Sequence, residues 1–362
     1  MSNKIKIAFA LVTVSNNGGI ARVTSLMTSN LHATNNYEIH VIGFKKHPID
    51  MGYLWHNELH YHHLVDGDVS MKKGIFKATR TLRNILKENK ITVLVACSSI
   101  MGPLGVLATR CNRTRLVYWD HSSFFENTAH DFILTGKKFT ARFADVVVPL
   151  TKHDEANYRH YTAARRIVQI YNPIDSRLEN VQHQYNPDSK RIVSVGRLTY
   201  LKNFELLADV ARIVFQKHPD FTWHIYGKGE DEEKIKNKIE ENGLGDKLFL
   251  EGYASDIYAV YPDCVLMVMT SRSEGFPMTL IEGMANKLPL VSFDIISGPN
   301  EIIMEGENGH LVPPLAVDIM ADKIIDLLDN RERRIAFANK NLDYMDKFSM
   351  KSVIHKWDSI LK

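Results

Sequence analysis

Ten short apolar runs, separated by helical or irregular stretches, recur along the whole of this chain. In the first half they are Ile5 to Val12, Ile39 to Gly43, Thr92 to Ala96, Arg115 to Trp119 and Asp145 to Pro149. In the second they are Arg191 to Val195, Thr222 to Tyr226, Lys247 to Glu251, Cys264 to Met269 and Leu288 to Phe293. Runs this short and this continuously apolar suit strands buried on both faces, with the intervening helices as the cover. The expectation is an α/β protein of two Rossmann-like, doubly wound domains facing each other across a cleft. A length of 362 residues exceeds a single core. The stretch Ile170 to Asp175, IYNPID, carries an Asn-Pro breaker and reads as the linker. The expected divisions are 1–172, 173–345 and 346–362, the last holding an amphipathic helix, Met350 to Leu361, that crosses back to the first domain. There is no close internal repeat and no low-complexity segment.

Hydrophobic and charged fractions of 44% and 24% are those of an ordinary soluble protein. The opening, MSNKIKIAFALVTVSNNGG, is too short and strand-like in its apolar run for a signal peptide, and nothing approaches a membrane span. Cys97, Cys111 and Cys264 lack metal spacing, which points to a reduced cytoplasmic compartment. The net charge of +3 hides an asymmetry: up to Asn172 there are 22 Lys+Arg against 12 Asp+Glu, and beyond it 23 against 30. A basic half attracts phosphates, nucleic acid or an anionic membrane, although a solvated surface explains many such surpluses. In Lys72 to Ile91, the residues Ile75, Phe76, Leu82, Ile85 and Leu86 fall near helical spacing among seven cations. Such a helix either lies on anionic lipid or packs its stripe inward.

Ser271 to Asn286, SRSEGFPMTLIEGMAN, sets two carboxylates, Glu274 and Glu282, around a Gly275-Phe276-Pro277 corner between two apolar runs. Pro277 suits a first helical position, which leaves Glu274 before the helix and Glu282 inside it, roughly 7 to 8 Å along the axis. The amides of Met278 and Thr279 would then lack intrahelical acceptors and favour a phosphate. An acidic residue before a helix is often only a dipole partner, and a mid-helix Glu is usually solvated. The strand-loop-helix-strand setting is what lends the pair weight, since open α/β sheets bind ligands at strand carboxyl ends.

Other loops at predicted strand ends carry matching parts. Ser15 to Arg22, SNNGGIAR, places Gly18 and Gly19 before a helix, where a backbone can approach a ligand, though a glycine pair in a turn is a weak signal. GRLTYLKN puts Arg197 and Lys202 beyond the run Arg191 to Val195; two cations there can neutralise a diphosphate, unless they are merely solvated. His121, in WDHSSF, is placed to hydrogen-bond a hydroxyl or act as a base, or is simply structural. The cluster His60, His62 and His63 shows no ligand spacing, and the DGD at Asp66 to Asp68 reads as a turn.

Taken in order, the early GG, the His after a middle strand, GRL…KN, YGKGE and EGFPMTLIE resemble the family 4 glycosyltransferases of the GT-B fold, over nearly the whole chain. The most specific element is the glutamate pair preceded by Ser273. The resemblance implies transfer of a hexosyl group from a nucleotide diphospho-sugar, such as a UDP-sugar, with retention of configuration and no active-site metal or cofactor. The acceptor would be a carbohydrate or glycolipid of a bacterial cell-surface glycan, with no nucleic-acid partner. It would give Glu274 the donor sugar, Glu282 the ribose, Arg197 and Lys202 the diphosphate, and His121 the reacting sugar. Gly18 and Gly19 would approach the diphosphate, and Gly227 and Tyr253 would lie near the base. The sequence departs from the family pattern at Asn286-Lys287-Leu288 and at Ser297-Gly298-Pro299-Asn300-Glu301, which puts the donor in question. Competing readings are a nucleotide-sugar epimerase or phosphorylase of the same shell, or a non-catalytic glycan- or lipid-binding partner. An NAD dehydrogenase is disfavoured because neither half has GxGxxG.

Overall fold

The computed structural model describes residues 4–14, 18–45, 55–67, 69, 71–110, 112–125, 131–179, 181 and 183–362, apart from the side chains of residues 71, 72 and 131. Ser15 of the glycine turn with its two asparagines, Asp68, Cys111 and the Lys72 side chain lie outside the described residues. Contacts divide the chain into two units, one running to Pro173 and including Met350–Lys362, the other Ile174–Ser349. The breaks expected from the sequence fall after residues 172 and 345.

The first unit runs β1 (Ile5–Leu11), α1 (Gly19–Ala33), β2 (Tyr37–Lys45), β3 (His60–Val65), α2 (Met71–Glu88), β4 (Val93–Cys97), α3 (Met101–Thr109), β5 (Arg115–Asp120), α4 (Asp131–Phe143), β6 (Val146–Pro149) and α5 (Lys152–Tyr161). Its sheet order is β3-β2-β1-β4-β5-β6, and every pairing is parallel. Five strands coincide with the apolar runs. The sixth, β3, reads HYHHLV and lacks an apolar run because three of its residues are histidines. On α2, Ala78, Leu82, Ile85 and Leu86 are buried and Ile75 packs beside them, so the stripe turns inward, whereas Phe76 is 88% exposed.

The second unit follows with β7 (Arg191–Val195), α6 (Phe204–Lys217), β8 (Thr222–Tyr226), α7 (Glu232–Glu241), β9 (Leu248–Gly252), β10 (Leu266–Met269), α8 (Met278–Ala285), β11 (Leu290–Phe293), β12 (Gly309–Val312), α9 (Val317–Asp329) and α10 (Arg331–Lys340). Its order, β12-β11-β10-β7-β8-β9, is again all parallel. The short β12 escaped the sequence reading. Leu207, Trp223, Ile225, Met320 and Ile324 belong to its continuous core. Ser194 is buried mid-strand, yet its hydroxyl accepts from Trp223 Nε1 at 3.0 Å and donates to the Val268 carbonyl at 2.7 Å. A polar side chain thereby ties β8, β7 and β10 together without an unmet hydrogen bond.

The last helix, α11 (Met350–Leu361), packs with the first unit. Its Trp357 ring lies 4.8 Å from Trp119 and 6.3 Å from Phe9, and Tyr37 donates to Asp358. In each sheet the strand order reverses beside the first strand, at β1–β4 and at β7–β10. Those switch points are where doubly wound sheets open a crevice for ligands. Among the described residues no helix is long and apolar enough to cross a membrane.

Candidate active site

The loops that follow β7 and β10 emerge side by side because these two strands pair directly. They are fastened to each other by backbone and side chain. Arg272 N donates to Leu201 O at 2.8 Å, Thr270 Oγ1 donates to Lys202 O at 3.1 Å, and Arg272 Nη2 donates to Asn203 Oδ1 at 2.7 Å. Asn203 sits at φ +57° just before α6, a left-handed conformation that asparagine tolerates better than most residues. The Arg272 guanidinium also lies 4.5 Å from the centre of the Tyr200 ring. Held in this frame, Lys202 Nζ meets Glu274 Oε1 at 2.5 Å, and Ser271 Oγ donates to the same oxygen at 2.5 Å. The side chains of Lys202 and Glu274 are 21% and 11% exposed. A cation and a carboxylate so shielded from water interact more strongly than a surface pair. Arg197 stands in solvent, with Nη2 3.8 Å from Glu230. Among the described residues it has no tighter partner that a phosphate would have to displace.

Helix α8 begins one residue later than expected, with Pro277 as its N-cap rather than its first helical residue, at φ −78° and ψ 90°. The amides of Met278 and Thr279 still occupy the first turn, where intrahelical acceptors are lacking. The Phe276 side chain is buried and its ring packs 5.8 Å from Phe348, which leaves its backbone for a donor. Pro277 is buried as well, while Gly275 is partly exposed. Glu282 departs from the usual solvated mid-helix glutamate. It is 1% exposed, and the buried Tyr261 hydroxyl donates to its Oε2 at 2.8 Å.

Gly227, expected near the base, has a different reason to be glycine. Its φ is +153°, and a Cβ would fall 1.8 Å from the Gly196 carbonyl oxygen, where the loop after β8 crosses the loop after β7. The residue is a backbone crossing point. Tyr253, just past β9, is 65% exposed and open to stacking. In the departing segments, Asn286 caps α8 with Nδ2 donating to Glu282 O at 2.8 Å, and Asn300 bonds Asp294 at 3.1 Å.

In the first unit, Gly18 is the extended N-cap of α1, and a Cβ on it or on Gly19 would meet nothing within 4 Å. Packing within the described residues does not demand either glycine. His121 follows β5 with its ring 4.2 Å from Trp119, and burial lowers its pKa to about 3, partly opposed by the neighbouring Asp120 charge. A ring held neutral in this way is suited to hydrogen bonding a hydroxyl. The loop is fixed by a buried network: Lys137 Nζ lies 3.2 Å from Asp120 and donates to Ser123 O at 2.5 Å, and Tyr158 OH donates to Asp120 at 2.7 Å.

Tyr200, Asn203, Tyr261 and Arg272 escaped the sequence reading. Tyr200, Asn203 and Arg272 lie inside the sequence motifs, but their contacts depend on β7 and β10 being neighbours. Among the described residues, His/carboxylate groups with metal-ligand spacing occur in the first unit, at His32, His56 and Glu58 and at Glu38, His40 and His60.

Comparisons with known proteins bear on the family of this chain. The family described as Glycosyl transferases group 1 matches residues 175–342, and Glycosyltransferase Family 4 matches residues 17–178. The chain is similar to the O-antigen biosynthesis glycosyltransferase WbnH of Escherichia coli, 32% identical over 72% of this chain and 75% of that one. It is also similar to an uncharacterized glycosyltransferase of Haemophilus influenzae, 26% identical over 98% and 99% of the two chains. Among solved structures, Anabaena HepE in complex with UDP and glucose superposes with a TM-score of 0.84 at 17% identity, covering 99% of both chains. With two family matches in tandem and a full-fold likeness to solved glycosyltransferases, the chain belongs to the group 1, or family 4, glycosyltransferases of the GT-B fold.

Proposed function

We propose that this glycosyltransferase moves a hexosyl group from a UDP-sugar to a carbohydrate or lipid-linked acceptor during synthesis of a bacterial cell-surface glycan, with retention at the anomeric carbon. The observation that carries the donor assignment is the shielded Lys202–Glu274 pair at the β7–β10 switch point. Lys202 and Arg197 neutralise the diphosphate and the charge that develops as it leaves. Glu274 holds the sugar hydroxyls, and the backbone from Gly275 to Thr279 approaches the phosphates at the start of α8. Glu282, oriented by Tyr261, is the ribose-side group, and the exposed Tyr253 ring is the group near the base. On the first unit, the backbone at Gly18 and Gly19 is open to a phosphate, and His121 is a neutral hydrogen-bonding partner for a sugar hydroxyl.

Several relatives support the acceptor class by their names: WbnH, the amylovoran glycosyltransferase AmsD of Erwinia amylovora, and a poly(ribitol-phosphate) alpha-N-acetylglucosaminyltransferase of Staphylococcus aureus. UDP accompanies HepE in its solved complex. Retention is read as same-face attack, in which the departing diphosphate takes the acceptor proton, so the protein positions groups and stabilises charge without a metal. The work is assigned to the cytoplasm, with the basic first unit touching an anionic membrane.

The test is a panel of nucleotide-sugars screened by thermal shift, followed by transfer of the best donor's sugar to candidate glycolipids. Glu274→Ala is expected to abolish transfer, and Arg197→Ala to add about 2 to 4 kcal/mol to the barrier. Near-normal turnover by a folded Glu274→Ala protein would sink the assignment.

A further inference from the structure

Strands β2 and β3 form one edge of the first sheet, in parallel register with His40 opposite His60 and Ile42 opposite His62. Side chains two apart on a strand share a face, so Glu38 and His40 on β2 and His60 and His62 on β3 all project to the same side. His40 and His60 converge on one Glu38 carboxylate oxygen. Glu38 Oε1 lies 3.2 Å from His40 Nε2 and 3.9 Å from His60 Nε2, and the three ligand atoms all fall within 4.8 Å of one another. The His40 ring stacks between the other two, with centroids 4.6 Å from His60 and 5.3 Å from His62.

We propose that Glu38, His40 and His60 bind a divalent transition-metal ion of the zinc type, which staples the edge strand β3 to β2. Two imidazoles and a carboxylate are ligands that zinc accepts, and a tetrahedral ion with bonds near 2.1 Å sets its ligand atoms roughly 3.3 Å apart. The Glu38–His40 spacing of 3.2 Å already meets this, and the His60 side chain, 55% exposed, can rotate to close the rest. His62 supplies the outer support. Its Nε2 sits 3.0 Å from His40 Nδ1, so His40 can donate through Nδ1 and leave the Nε2 lone pair for the ion. One group opposes the ion: Lys6 Nζ lies 2.7 Å from the same Glu38 oxygen.

This site has no part in the donor assignment, and its test does not use transfer activity. The full chain, stripped with chelator, is titrated calorimetrically with Zn²⁺, with Mg²⁺ as the control. A single equivalent of Zn²⁺ and no Mg²⁺ should bind. Glu38→Gln and the exposed-site variant His60→Asn should each weaken binding by at least about tenfold, and His62→Asn by about 10- to 100-fold. Lys6→Met should tighten it, a gain that damage to the fold would not produce. His56→Asn, in the neighbouring His32–His56–Glu58 group, should leave the first equivalent unchanged. The proposal is overturned by no zinc binding, by binding that survives His60→Asn, by binding lost only in His56→Asn, or by no gain in Lys6→Met.

Discussion

A Cβ on Gly227 would lie 1.8 Å from the Gly196 carbonyl oxygen at a φ of +153°, whereas one on Gly18 would meet nothing within 4 Å. The two glycines therefore carry different consequences. Gly227→Ala must either move the loop after β8 or break its crossing with the loop after β7, at a cost on the order of 3 kcal/mol. Gly18→Ala should leave the melting temperature unchanged and raise KM for the donor. Wild-type melting of Gly227→Ala would refute the packing account. Residue chemistry was legible where it sits in a local pattern: Glu274 and Lys202 stand beyond apolar runs, and those runs are strands. Tyr261 was not legible, because nothing near it in sequence announces that its hydroxyl reaches Glu282.

Helix α2 shows what pattern reading settles at the scale of an element. The spacing of Leu82, Ile85 and Leu86 predicts a stripe, and that stripe is buried. The outward face keeps Lys73, Lys77, Arg80, Arg83 and Lys87 exposed, with Phe76 among them. The membrane contact we propose accordingly rests on charge plus one aromatic ring rather than on the apolar stripe. Binding to anionic vesicles should weaken as salt rises, and Phe76→Ser should weaken it further by about tenfold, the worth of burying roughly 1.5 kcal/mol of aromatic surface. Equal binding to neutral vesicles, or no salt dependence, would rule the contact out. For β3 the pattern fails: its histidines hide an edge strand whose partner, β2, lies across a connection.

For the molecule as a whole, buried neutral histidines set an acid limit. His40 and His121 titrate near 4 and 3 in the folded first unit, below the 6.5 of an unhindered imidazole. Unfolded chains then bind more protons than folded ones between those values, so stability is full above pH 6.5 and falls as pH drops. At pH 5 each ring forfeits at most about 2 kcal/mol. Burial lowers His183 in the second unit in the same sense. Thermal melts in metal-free buffer should shift down steadily from pH 7 to pH 5, and a flat profile over that range would contradict the burial of these rings.

The sequence by itself determined the α/β class, the two doubly wound halves, the linker near Pro173 and the loops that carry Arg197, Lys202 and Glu274. These follow from hydrophobic period, breakers and strand-end position, all of which are local. Only the tertiary structure decided that Phe276 turns into the core, that Gly227 serves a backbone crossing, that Arg272 braces Asn203, and that Glu38, His40 and His60 meet. Each depends on which parallel strands become neighbours and in what register, and the crossover connections that fix this leave no periodic trace in the chain.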